Sequence, residues 1–271
     1  MPASYRERGG TRLDFFAARR YFVLRIAVEL SSEAPMSAET VPAHAEYERR
    51  YSSAEDPYDY FSAGEQAKYA GVLAAAKRWR PQATRVLEAA CGLGYVTRLL
   101  ADFAPEVFAY DFSPTAVART RARCADLPPG RVQIDVGNAL APNYPPASFD
   151  VVVLGDIGMF HDPDQRGGAI RAALALAKDD GVLILTDCIK SSQQADYTAF
   201  VERCGAETLE RLYFHDRYWM KFRSFVKSVG GGKQVLASPT LHRWLTNLGR
   251  LRGPAGSKHF GLVVRPIRGR A

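Results

Sequence analysis

The segment "RVLEAACGLGYVTRLLADFAPEVFAYDFSPTAVARTRARC", Arg85–Cys124, decides the fold. An apolar run reaches Glu88, breaks into a turn holding Gly92 and Gly94, continues as a helix-like stretch, and meets a second apolar run ending at Asp111. Strand, glycine turn, helix and strand in that order make a βαβ unit, whose two strands lie parallel. Ser113 before Pro114 reads as a helix cap with proline at the first helical position, so another helix opens directly after Asp111.

Outward from this unit the alternation continues. Apolar runs at 85–90, 107–111, 131–136, 149–155 and 182–188 are separated by helix-like segments at about 94–104, 114–125, 163–178 and 192–204. Asp162–Pro163 repeats the capping device, and Gly181 after "KDD" reads as a helix end before the next strand. The fold class is α/β: a doubly wound, seven-stranded, mostly parallel sheet with a helical insertion before its last strand.

Composition sets outer bounds. With 271 residues, 47% of them apolar and 24% charged, the chain can bury a sizeable core. No apolar run approaches the roughly 20 residues that cross a bilayer, since "YFVLRIAVEL" is broken by Arg25 and Glu29. Cys91, Cys124, Cys188 and Cys204 form no C-x-x-C pair, so buried free thiols and a cytoplasmic location are expected. Twelve Lys and Arg, and no acidic residue, follow Asp216. Aromatic residues interleave this block, which reads as a packed lobe over an anionic acceptor, with a solvated basic face as the plainer reading. Residues 1–35 carry six arginines and four acidic residues in no helical period and read as a poorly ordered extension, with translation expected to start at Met36.

The glycine turn separates two cofactor chemistries. A dinucleotide fingerprint, G-x-G-x-x-G, would need glycine where Thr97 stands, and the Glu88 charge would oppose a diphosphate. S-adenosylmethionine has no phosphate but carries a sulfonium and an ammonium, which an acidic residue suits. Asp111, 23 residues beyond Glu88, matches two ribose hydroxyls as a bidentate acceptor. On that assignment Asp111→Ala should greatly weaken cofactor binding while leaving the fold intact.

"VLEAACGLGYVTRLLA", "VFAYDFSPTAVARTRAR" and "FDVVVLGDIGMFHD" resemble the first, second and fourth-strand motifs of class I S-adenosylmethionine-dependent methyltransferases. "VERCGAETLERLYFHD" with "KHFGLVVRPI" resembles the closing antiparallel hairpin of that sheet, and "YERRYSSAEDPYDYFSAGEQAKYAGVLAAA" is similar to the N-terminal segment of the nodulation protein S group, whose members methylate an amine on a sugar. Ala90 stands where the family usually has its first glycine, Asn138 where an acidic residue commonly meets the adenine amine, and "GDIGMFHD" departs from the nodulation group.

The resemblance implies methyl transfer to a nitrogen or oxygen of a small-molecule acceptor, with S-adenosyl-L-homocysteine as product. It assigns the cofactor to Glu88, Ala90, Cys91, Gly92, Gly94, Asp111, Phe112, Ser113, Asn138, Ala139 and Asp156: glycine backbone to the methionine portion, Asp111 to the ribose, Phe112 over the adenine, Asn138 and Ala139 at its edge. His161 is the acid/base candidate, though "FHDP" also serves as a helix cap; His215, His242 and His259 rank below it. No metal is expected, because Asp156, Asp162 and Asp164 have no distinctive spacing.

The implied layout is an N-terminal helical lid at 36–83, a cofactor-binding core at 84–214, a basic insertion roofing the acceptor at 215–257, and the last strand and tail at 258–271. A homodimer is left open. A nucleic-acid methyltransferase is the alternative enzyme reading, disfavoured by the missing N/D-P-P-Y/F motif after the fourth strand. A non-catalytic S-adenosylmethionine-binding protein is the other, since Glu88, Gly92, Gly94 and Asp111 report binding only.

Overall fold

The computed structural model describes residues 43–157, 162–230 and 232–267. The expectations for residues 1–35, Met36 and His161 lie outside the described residues.

Five strands form the parallel part of one sheet: β1 (Arg85–Ala89), β2 (Glu106–Asp111), β3 (Val132–Val136), β4 (Phe149–Gly155) and β5 (Ala177–Cys188). Their order is β3-β2-β1-β4-β5, continued by β7 (His259–Pro266) and β6 (Ala206–Tyr213), with β7 antiparallel to both neighbours. The strand order reverses between β1 and β4, and in such sheets the crevice at the carboxyl ends of the strands takes the ligand.

Both faces of the sheet are covered, so its strands are apolar on both sides. Val151 and Val153 of β4 and Ile184 of β5 pack with Val72, Ala75 and Ala76 of α2 (Ala63–Trp79) and Leu100 of α3 (Tyr95–Ala101). Val152, Leu154 and Leu185 point the other way, onto Ile170 and Leu174 of α5 (Pro163–Leu176) and Val201 of α6 (Gln194–Arg203). Each such side chain contributes about 1.5–3 kcal/mol relative to exposure. The capping signals hold: Ser113 accepts from the Ala116 N–H (3.0 Å) ahead of α4 (Pro114–Arg123), and Asp162 accepts from the Asp164 N–H (3.0 Å).

Gly181 is not a helix end. α5 stops at Leu176 and β5 already runs from Ala177; a Cβ on Gly181 would lie 2.8 Å from both Phe149 O and Lys178 N, so glycine allows the close approach where the β4–β5 register shifts. Of the thiols, Cys91 and Cys124 are buried, whereas Cys188 is exposed and Cys204 half-buried. No helix among the described residues is long and apolar enough to cross a membrane.

Asp150 clamps the amino ends of the sheet, accepting from the Thr84 and Arg85 N–H groups (both 2.9 Å) and from Lys178 (2.7 Å). Burial acts to raise its carboxyl, but Lys178 and these N–H donors outweigh it and hold it at about 2. Because the folded value lies below the unfolded one, this stabilisation is present above about pH 4 and is lost as pH falls toward 2. Asp150→Ala should cost about 2–3 kcal/mol in urea unfolding at pH 7, and an unchanged midpoint would count against the clamp.

Residues between β6 and β7 form α7 (Arg217–Ser228), α8 (Lys233–Leu236) and α9 (Pro239–Arg250). They close on a small core in which Trp219 packs with Val226, Leu236, Leu245 and, from α2, Ala63. Gly64 is required there, since a Cβ would fall 2.1 Å from Trp219 Nε1.

Candidate active site

A cavity of about 380 Å³ opens over the carboxyl ends of β1, β2, β4 and β5. α1 (Ala43–Ser53) gives it Tyr47 and Tyr51, the loop after α1 gives Tyr58 and Tyr60, α2 gives Glu65, Lys68 and Tyr69, and the insertion gives Met220 and Arg223.

Its first wall is the turn after β1. Ala90, Gly92 and Gly94 all have left-handed backbone, with φ of 58°, 53° and 74°. The Gly92 N–H donates to Asp111 Oδ2 and the Ser113 N–H to Oδ1, both at 2.9 Å, so Asp111 fixes the turn. A Cβ on Gly92 would stand 3.1 Å from the hydroxyls of both Tyr51 and Tyr60. Ala90 carries its Cβ in a conformation that glycine adopts freely, so Ala90→Gly should stabilise the protein by about 0.5–1 kcal/mol. A lowered melting temperature would oppose that reading.

Thr97 explains the missing third glycine. Its buried hydroxyl donates to Glu88 Oε2. Burial pushes the Glu88 carboxyl up to about 8 even against this hydrogen bond. A buried carboxyl that accepts from a neutral hydroxyl is suited to an incoming cation and opposed to a diphosphate.

The tyrosine wall is braced from behind. Asp56 accepts from the Tyr60 N–H (2.8 Å) and the Phe61 N–H (3.1 Å), fixing the "DPYDYF" loop. Asp59 accepts from Arg223 Nε (2.8 Å) and Lys227 Nζ (2.5 Å), binding the loop to α7. Burial raises Tyr51, Tyr60 and Tyr69, so their phenols stay neutral at physiological pH. Phenol faces attract cations.

The far wall comes from β4, β5 and the feet of the β6–β7 hairpin. Asp156, with a left-handed φ of 52°, meets the buried Lys68 at 2.6 Å, and Lys68 also meets Glu65 at 2.9 Å. Burial acts to raise Asp156, but Lys68 and His259 hold it below its ordinary value. Asp187 is 4% exposed; its Oδ1 accepts from the Cys188 N–H (2.7 Å) and its Oδ2 has no hydrogen-bond partner among the described residues. His259, first residue of β7, sets Nδ1 against Asp216 Oδ2, while Asp216 Oδ1 accepts from the Lys258 and His259 N–H groups (2.8 and 3.0 Å).

Of the residues singled out in the sequence, Glu88, Ala90, Cys91, Gly92, Asp111, Phe112 and Asp156 line this cavity. Four do not. Gly94 is the N-cap of α3, where a Cβ would clash with Thr120 Cγ2 at 2.5 Å. Ser113 caps α4 and donates its hydroxyl to Glu48 of α1. Asn138 is exposed, and its side-chain oxygen already accepts from the Leu140 N–H (2.9 Å); Ala139 packs against the core.

Lys68, Asp187 and the partnership of Asp216 with His259 were missed in the sequence, where His259 was weighed only as a candidate below His161. Lys68 stands one helical turn before Val72 and two before Ala75 on the face α2 turns to the sheet, which was a signal. Asp216 follows β6 and His259 opens β7, and the pairing of these strands brings the two together.

Residues 86–181 match a family described as a methyltransferase domain, and their sheet and turn are those of the class I, S-adenosylmethionine-dependent kind. The chain is 34% identical over 195 residues to 2-methyl-6-phytyl-1,4-hydroquinone methyltransferase of Synechocystis sp., covering 67% of this chain and 59% of that one. It is 32% identical over 123 residues to carboxy-S-adenosyl-L-methionine synthase of Chromohalobacter salexigens, covering 44% and 45%. N-methyltransferase NodS of Bradyrhizobium japonicum, solved with S-adenosyl-L-homocysteine, shares the fold at TM-score 0.61 and 14% identity over 84% of this chain and all of NodS. The chain thus spans about half the length of the curated relatives it matches.

Proposed function

We propose that this protein is an S-adenosylmethionine-dependent methyltransferase whose acceptor is a small-molecule amine. The observation that carries the reading is the charge of the cavity. Glu65, Glu88, Asp111, Asp156 and Asp187 line it, while its cations are engaged by the protein itself, Lys68 by Glu65 and Asp156, Arg223 by Asp59, and His259 by Asp216. The buried Asp187 Oδ2 awaits a donor, which an amine supplies and a phosphate or carboxylate does not. This favours an amine over the anionic acceptor that the basic insertion suggested.

The residues present fit the cofactor: Glu88 would meet its cationic end, Asp111 its ribose hydroxyls and Phe112 its base, and Gly92 would allow close backbone approach. When bound, it supplies an electrophilic methyl group on a sulfonium. The chain contributes alignment of the acceptor nitrogen at the Asp156 and Asp187 end and exclusion of water by the tyrosine wall. The volume suits small ligands rather than a nucleic-acid duplex. NodS, an N-methyltransferase, agrees with an amine; the Synechocystis relative, a hydroquinone methyltransferase, supplies the alternative.

The test is S-adenosylhomocysteine formation from ethanolamine, glucosamine, a hydroquinone and phosphoserine, compared side by side. Turnover of an amine with loss in Asp187→Asn supports the reading; turnover of only the hydroquinone overturns it.

A further inference from the structure

We infer that His259 is the proton acceptor of the reaction and that Asp216 is its positioning residue. The inference rests on the amine reading, since a protonated amine has no lone pair with which to attack.

Four observations converge. His259 lines the cavity, on the same wall as Asp156, Asp187 and Cys188. Its Nδ1 faces a carboxylate, which makes Nδ1 the protonated nitrogen and leaves the Nε2 lone pair, with no hydrogen bond among the described residues, for a ligand. Asp216 is itself immobilised, buried and held by two backbone N–H groups, so the ring orientation is fixed before any ligand arrives. Register places His259 opposite Cys188, one residue beyond Asp187, at the carboxyl edge of the sheet.

The proton balance is complete. His259 Nε2 takes one proton from the acceptor ammonium; the freed nitrogen pair forms the N–C bond; the C–S pair returns to sulfur, giving a neutral thioether. The imidazolium then passes its proton to water. The charged groups bearing on His259 are Asp216 ahead of α7, Lys68 of α2 and Asp156 after β4, with Asp187 of β5 coupled to it. Burial and Lys68 lower its affinity for a proton, the carboxylates raise it, and the net direction is upward from the ordinary value.

The first measurement is imidazole ¹⁵N NMR of the S-adenosylhomocysteine complex, with the His259 signals assigned by their loss in His259→Gln. Protonation at Nδ1 and a titration above 6.5 that drops by a unit or more in Asp216→Asn support the pair; an Nε2–H tautomer, or a titration untouched by Asp216→Asn, overturns it. With whichever amine of the panel is methylated, His259→Gln should lower kcat at least 100-fold with S-adenosylmethionine affinity within threefold, and imidazole should partly restore His259→Ala. Full activity of His259→Gln on that amine also overturns it. If no amine is methylated, the amine reading fails, and the NMR result still decides the geometry of the pair.

Discussion

Asp111→Ala should weaken S-adenosylmethionine binding by about 100- to 10,000-fold and also lower stability by about 2–4 kcal/mol. The first part follows if the carboxylate accepts from two ribose hydroxyls, as proposed, at about 1.5–3 kcal/mol for each charged hydrogen bond and 1.4 kcal/mol per tenfold. The second corrects the expectation that this variant keeps its fold intact. Both Asp111 oxygens already accept from backbone, one from Gly92 and one from Ser113, and alanine leaves those two buried N–H groups without partners. Asp111→Asn separates the effects. Its one carbonyl oxygen still serves one N–H, so it should melt between the wild type and the alanine variant while binding nearly as poorly as alanine. Calorimetric titration below each variant's melting temperature reads the binding, and urea unfolding reads the stability. Affinity within threefold of wild type would remove the ribose assignment, and an unchanged unfolding midpoint would remove the bracing role.

The order of strands and helices was legible because each carries its own local signal: apolar runs of strand length, Ser113–Pro114 and Asp162–Pro163 at helix starts, and an acidic residue at the tip of β1 and of β2. Half of the cavity was legible for the same reason, since Glu88, Gly92 and Asp111 lie within one βαβ unit. The other half is made by contacts between distant segments. Lys68 reaches Asp156 across 88 positions, Arg223 reaches Asp59 across 164, and His259 reaches Asp216 across 43. Charge counting is incomplete for a related reason: three of the twelve C-terminal basic residues pair with acids from earlier in the chain, Arg223 and Lys227 with Asp59 and Arg265 with Glu207. What a run of basic residues does is set by the acids that fold against it, and those lie outside the run.

On the proposed assignment of Glu88 to the cationic end of the cofactor, binding should depend on pH. In the free protein burial holds its carboxyl at about 8, so at pH 7 about nine-tenths of the molecules carry it protonated. A ligand that brings an ammonium and a sulfonium favours the ionised form, and binding must then expel the proton. Close to one proton per site should be released at pH 7, and affinity should rise about fiftyfold between pH 6 and pH 8. The effect on stability has the opposite sign. The folded value lies above the unfolded one, so between about pH 4.5 and 8 the native state holds the extra proton, and stability from this group falls as pH rises through that window. The measurement is titration calorimetry with S-adenosylmethionine in phosphate and in Tris, whose ionisation enthalpies differ, repeated with Glu88→Gln. Wild type should give different apparent heats in the two buffers, and the glutamine variant should bind weakly with equal heats and little dependence on pH. Equal heats for the wild type would mean that Glu88 is already ionised in the free protein. Thr97 would then outweigh burial, because its hydroxyl is the side-chain donor that meets the Glu88 carboxylate. Thr97→Val distinguishes the two cases: removing the hydroxyl should push the carboxyl further up and enlarge the proton release at pH values near 8, whereas a carboxylate held ionised by that hydroxyl would begin to release protons only in the valine variant.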